Sequence, residues 1–112
     1  MFKINKIIIG KQAGMEIPLF KLQIGQGKEK ISIISGLHGD ETSGLLVLNH
    51  LIKSLKENKL TKQINIFPLT NILGSCLNSR EDPIDNQDLN RKFPGNKNGS
   101  FSERLTRKLI NE

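Results

Sequence analysis

The sequence has no tryptophan, no tyrosine and a single cysteine, and each shortage removes a class of explanation. Cys76 has no partner for an internal disulfide and sits in no C-x-x-C pair, so neither a disulfide framework nor a zinc knuckle holds the fold. It is expected to be a small buried hydrophobe. The aromatic complement is limited to five phenylalanines, none interleaved with basic residues as a nucleic-acid stacking surface requires. Long apolar runs are missing as well. The opening MFKINKIIIG stops at three consecutive isoleucines, short of the roughly 7 to 15 residues of a signal-peptide core. No segment approaches the ~20 apolar residues of a membrane span. The expectation is a protein of the reducing cytoplasm with no membrane partner.

Blocks of like charge are absent too. The net charge is +6 and the calculated pI about 9.7, which favours anionic substrates through long-range steering. The lysines are scattered, however, so a nucleic-acid partner has only the bulk charge behind it and is not expected.

What is present suits one domain spanning residues 1–112, because domains typically run about 100 to 200 residues. Apolar residues make up 36% and charged residues 25%, and no low-complexity tract occurs, so the chain should fold around a core. FKINKIII and IPLFKLQIG alternate apolar residues around a Gly10 and Ala13-Gly14 break, which predicts strands near 2–9 and 17–24, paired as a hairpin. KISIISG, near 30–36, is β-branched and ends in glycine, as expected of a strand buried inside a sheet. Leu45, Leu48, Ile52 and Leu55 then share one helical face over 41–57. QINIFPL predicts another strand near 62–68, ended by Pro68. Strand, helix and strand in that order define a βαβ unit and an α/β fold with a mixed sheet flanked by helices.

Residues 70–100 carry two prolines, three glycines and many Asn, Asp and Ser, which predicts a long functional loop. Ser100 and Glu103 then form a capping box, and Phe101, Leu105 and Leu109 make the apolar stripe of a last helix over 101–112.

Two constellations carry chemistry. In SGLHGDETSG, His38 and Glu41 stand three apart where a strand gives way to a helix, the usual position for ligand sites in α/β sheets. Imidazole nitrogen and carboxylate oxygen are both good zinc ligands, and Gly36 and Gly39 allow a sharp turn around an ion. The plainer alternative is that Asp40 or Thr42 caps the helix and His38 is a surface histidine. In DLNRKFPG, Arg91 can grip a carboxylate with a forked contact and Asn90 can add an amide donor, with Phe93 and Pro94 pinning the loop. The alternative there is an Asp88 to Arg91 surface pair of little consequence. Arg80, in LNSRED, is a further candidate cation or a solvated loop residue.

GLHGDE after an apolar strand, Asn71 with Arg80 nine residues on, DLNRKFPG, and a GSxxER helix start together resemble the succinylglutamate desuccinylase/aspartoacylase family of zinc carboxypeptidase-like hydrolases, from about Ile31 to the C-terminus. The resemblance implies the N-terminal part of a zinc-carboxypeptidase-like fold with a catalytic Zn2+. It implies that His38 and Glu41 bind zinc, that Arg80 polarises the scissile carbonyl, and that Asn90 and Arg91 hold the substrate's free carboxylate. Ile72 departs from the pattern, which often has proline there.

The resemblance also implies a third ligand, a His on the strand after the GSxxER helix, and a general-base Glu further on; the chain is expected to lack both. His50 does not substitute, because a helix rise of 1.5 Å per residue puts it roughly 15 Å from the helix start. Its angular position is opposite the apolar face, so a solvent-facing side chain is expected.

The leading expectation is therefore a zinc-dependent deacylase of small N-acyl amino acids or related anionic substrates, inactive as this piece alone. The rivals are a non-catalytic fragment with a weak metal half-site, completed in an oligomer or by a complementing chain, and a carboxypeptidase-type peptidase.

Overall fold

The computed structural model describes residues 2–112. The two alternating segments at the start form β1 (Phe2–Gln12) and β2 (Met15–Ile24), an antiparallel hairpin. Ala13 and Gly14 turn the chain with φ of 51° and 80°, the left-handed region that a tight hairpin turn demands. The next strand, β3 (Lys30–Ile34), leads into α1 (Ser43–Glu57), and β4 (Gln63–Phe67) then pairs parallel to β3 on one side and antiparallel to β2 on the other. The sheet order is β1-β2-β4-β3. The expected hairpin, βαβ unit and mixed sheet are all present.

Period-2 alternation divides the core between the two faces of this sheet. Ile64 and Ile66 of β4 join Ile24 and Leu48 under α1. On the other face, Phe67, Ile17 and Leu19 meet Phe101, Leu105 and Leu109, the stripe of α3 (Phe101–Asn111). The capping box at Ser100 and Glu103 is formed as expected.

Three expectations need correction. KISIIS is not buried inside the sheet: among the described residues β3 is an edge strand, and Ile31 is 43% exposed. The strand buried on both faces is β4, which has a neighbour on each side. Cys76 is exposed. Finally, residues 70–100 are not a plain loop. They contain α2 (Ile72–Leu77) and a 3-10 turn at Leu89–Arg91. Asn71 starts α2 by accepting the Gly74 N–H at 2.9 Å, so a residue pattern suited to loops is here a cap.

The segment between α2 and α3 is tied to both. Asp82 is buried, and its backbone bridges to Gln87. Asp85 accepts the Ser102 N–H and hydroxyl, both at 2.7 Å, and so adds a carboxylate to the N-terminus of α3. Burial alone would raise the Asp85 carboxyl, but the hydrogen bonds from Ser102, Gln87 and Ser100 outweigh it and hold the group below its usual range. The sign of the linkage follows. A depressed carboxyl pKa contributes stability above the unfolded value of about 3.9, and the contribution is lost as pH falls through the folded value. Asp85→Ala is expected to cost about 1 to 2 kcal/mol at neutral pH. The difference from the parent should shrink in urea titrations repeated toward pH 3; an equal loss at both pH values would refute the charge-assisted cap.

Candidate active site

The corner after β3 is built by close backbone approach. Ser35 N–H donates to the Phe67 carbonyl at 2.9 Å, and Asn71 N–H to the Gly36 carbonyl at 2.9 Å, so the loops leaving β3 and β4 run side by side beyond the strand ends. Gly36 has φ of 68°, which favours glycine, and a Cβ there would meet the Pro68 carbonyl at 3.0 Å. Asn71, fully buried, donates weakly to the carbonyls of Leu37 at 3.4 Å and Arg80 at 3.5 Å, joining the segments that carry His38 and Arg80.

On this frame His38 is buried at the base of a cleft and Glu41, 60% exposed, stands at its rim. His38 Nδ1 lies 3.3 Å from Glu41 Oε2. The other ring nitrogen, Nε2, lies 2.9 Å from Asp88 Oδ1. Burial alone would raise the Asp88 carboxyl. Hydrogen bonds from His38 and the Asn90 N–H, with the charges of His38 and Arg80, hold it below its usual range instead. Asp88 is thus an ionised acceptor, and Nε2 is the donor to it.

Arg80 lies across the two carboxylates. Its Nη1 is 3.7 Å from Glu41 Oε1 and its Nη2 is 3.5 Å from Asp88 Oδ2. Asn90 lines the same cleft of about 470 Å³, with the first turn of α1. Arg91 is exposed at the end of the 3-10 turn and is not part of the cleft wall.

The structure therefore brings His38, Glu41, Arg80 and Asn90 together and leaves Arg91 beside them. Of the plainer alternative for SGLHGDETSG, Thr42 does occupy the N-cap position, without a side-chain cap hydrogen bond, but His38 is buried and not a surface histidine. The Asp88 to Arg91 surface pair is also not formed; Asp88 turns to His38 and Arg80. Asp88 is the residue that sequence reasoning did not assign, although it stands in the DLNR motif two residues before Asn90. His50 is exposed, as expected.

The donor set can be tested for a metal on its geometry. Two ligands each about 2.0 to 2.1 Å from a tetrahedral ion stand about 3.3 Å apart, which is the separation of His38 Nδ1 and Glu41 Oε2. With Nε2 committed to Asp88, a ring nitrogen and a carboxylate oxygen face each other at that distance, an arrangement stabilised by a proton or a metal ion between them. His38 and Glu41 fit as two ligands. Among the described residues no group of three His, Cys, Asp or Glu side chains is placed to hold an ion.

This architecture, a mixed sheet between helices with the site beyond the ends of its parallel strands, is that of the carboxypeptidase-like α/β fold. A metallo-carboxypeptidase from Burkholderia cenocepacia shares it, with a TM-score of 0.72 over 96% of this chain and 33% of that one at 18% identity. The family model described as the succinylglutamate desuccinylase/aspartoacylase catalytic domain matches residues 27–111, and the chain belongs to that family. An aspartoacylase family protein from Mesorhizobium loti superposes with a TM-score of 0.85 at 30% identity, over 98% of this chain and 36% of that one. A product-bound ectoine utilization protein from Ruegeria pomeroyi gives a TM-score of 0.77 at 26% identity, over 97% and 34%. In sequence the chain is 32% identical over 89 residues to the N-alpha-acetyl-L-2,4-diaminobutyric acid deacetylase of Halomonas elongata. That match covers 80% of this chain and 26% of the relative, so the chain spans about a quarter of the relative's length.

Proposed function

We propose that the chain supplies the His38/Glu41 half of the active site of a zinc-dependent hydrolase that cleaves the acyl bond of small N-acyl amino acids or related carboxylate-bearing substrates. The observation that carries the reading is the 3.3 Å spacing of His38 Nδ1 and Glu41 Oε2, with Asp88 fixing the ring from behind. The match to a diaminobutyric acid deacetylase supports an acylated amino acid as the substrate class.

When bound at His38 and Glu41, zinc would supply Lewis acidity toward water and the acyl carbonyl. The remaining steps fall to the chain's own groups. Asp88 holds the imidazole so that Nδ1 points into the cleft. Arg80, held between Glu41 and Asp88 with its side chain 47% exposed, can swing a N–H toward an oxyanion developing on the acyl carbonyl. Asn90 in the cleft wall and Arg91 beside it take the substrate's free carboxylate and set its register. Glycines and β3 residues line the near side of the cleft, leaving room for a small substrate.

A second reading has one observation in its favour: no third ligand is assembled among the described residues. On that reading the chain is a non-catalytic half-site that binds zinc weakly unless another segment or chain completes it.

Zinc titration of the 112-residue chain, followed by chelator competition, separates the two. Weak binding, lost in His38→Ala and weakened about 10- to 100-fold in Asp88→Ala, is expected of the half-site geometry. Adding the remainder of a relative's catalytic domain should tighten zinc and produce hydrolysis of N-acetyl-2,4-diaminobutyrate. Zinc binding unaffected by His38→Ala would refute the ligand assignment, and tight zinc without acyl hydrolysis in the completed protein would refute the deacylase reading. Running acylated amino acids beside short peptides tells deacylase from peptidase.

A further inference from the structure

Outside the cleft, and sharing no lining residue with it, α3 presents a second face. Its buried side carries Phe101, Leu105 and Leu109, whereas Arg104, Arg107, Lys108 and Asn111 run along its other side at positions i, i+3, i+4 and i+7. With Lys97 from the preceding loop and Ile8 of β1, these residues line a groove of about 230 Å³.

The charges in this groove do little for the fold. Like charges three and four residues apart on a helix repel. Arg104 stands in the second turn, nearer the positive end of the helix dipole, where a cation is disfavoured. The nearby carboxylates are committed elsewhere. Glu103 closes the capping box on the Ser100 N–H, and Glu112 holds Lys21 at 2.8 Å while reaching Lys108 only at 3.7 Å. No acidic side chain lines the groove. The Arg104 guanidinium, though exposed, lies over the Phe101 ring, 5.9 Å from its centroid, and Arg107 is half-buried against the helix.

We infer that the α3/β1 groove is an anion site, separate from the active-site cleft, for a phosphoryl or pyrophosphoryl group. Two guanidinium forks and two ammonium groups around one small hollow suit an oxyanion of more than one charge. The apolar side of the groove, Ile8 and Ile9, accepts no polar group. The volume suits a compact polyphosphoryl group, and a flat membrane surface or a nucleic-acid duplex would contact the outer cations without entering it.

The test is isothermal titration of the chain with inorganic pyrophosphate at about 0.15 M ionic strength, where unspecific surface attraction is largely screened. Saturable binding of one pyrophosphate per chain is expected. The pair Arg104→Ala/Arg107→Ala should weaken Kd by about tenfold or more. The pair Lys28→Ala/Lys53→Ala removes the same charge from exposed positions outside the groove and should change Kd less than about twofold. Lys97→Ala, in an exposed loop where loss of fold is not at issue, should weaken binding with an unchanged unfolding midpoint. Equal losses in the groove and control pairs, absence of saturation, or tighter binding to anionic vesicles or RNA than to pyrophosphate would each overturn the assignment.

Discussion

Gly39→Ala is expected to destabilise the protein by about 3 kcal/mol, and to weaken metal uptake at His38 with it. A Cβ at position 39 would lie 2.0 Å from the Gly74 carbonyl carbon and 2.4 Å from both the Gly74 oxygen and the Ser75 nitrogen. All three are backbone atoms of α2, so no side chain can rotate away. Either the His38 loop lifts off α2 or α2 shifts, and α2 is anchored by the Asn71 cap that also reaches Leu37 and Arg80. Gly14→Ala provides the contrast. There φ is 80° but nothing lies within 4 Å of the added methyl, so its cost is limited to the left-handed conformation, about 1 kcal/mol. Urea midpoints of the two variants, with zinc titrations alongside, check the prediction. If Gly39→Ala cost no more than Gly14→Ala, the packing of the corner on α2 would not be what holds His38 in place.

That contact explains what could and could not be read beforehand. The placement of His38 beside Glu41 was legible because it depends on local order: an apolar strand, a glycine turn, then a helix with a clear apolar stripe. The hairpin and the last helix were legible for the same reason, through the alternation in β1 and β2 and the Phe101, Leu105, Leu109 stripe. Asp88 was not. Three residues before Arg91 it invited a local pairing, and only the fold brings it to His38, 50 residues away in sequence. α2 was hidden by Gly74 and Asn71, residues that disfavour a helix in isolation. Here a Cβ on Gly74 would meet the Asn71 side chain at 2.4 Å, and that side chain is spent as the cap. Cys76 is exposed for a related reason, since it falls on a helix that the loop reading did not contain. The position of β3 was misjudged because apolar composition records that a strand can be covered and not what covers it. In the described residues it has only β4 beside it.

Arg80→Ala separates the two roles open to that side chain, and they predict opposite signs at the metal and at the substrate. In the structure its guanidinium lies 3.7 Å from Glu41 and 3.5 Å from Asp88, so it partly neutralises one proposed metal ligand and the carboxylate that orients the other. Removing it leaves that negative charge for an ion to satisfy. Zinc affinity of the chain is therefore expected to rise, by no more than a few-fold because a side chain 47% exposed is screened by solvent. In a protein carrying the completed site, the same change should lower kcat by about 10² to 10³ with little change in KM, as loss of one donor to a developing oxyanion does. Arg91→Ala, outside the cleft wall, should instead raise KM and leave zinc affinity unchanged. A fall in zinc affinity in Arg80→Ala would mean that the arginine holds the ligands in position. Normal kcat with tighter zinc would mean that it only balances their charge, and Ser35, Ser43 and Asn90 would then be the uncharged polar side chains left in the cleft wall to meet the carbonyl.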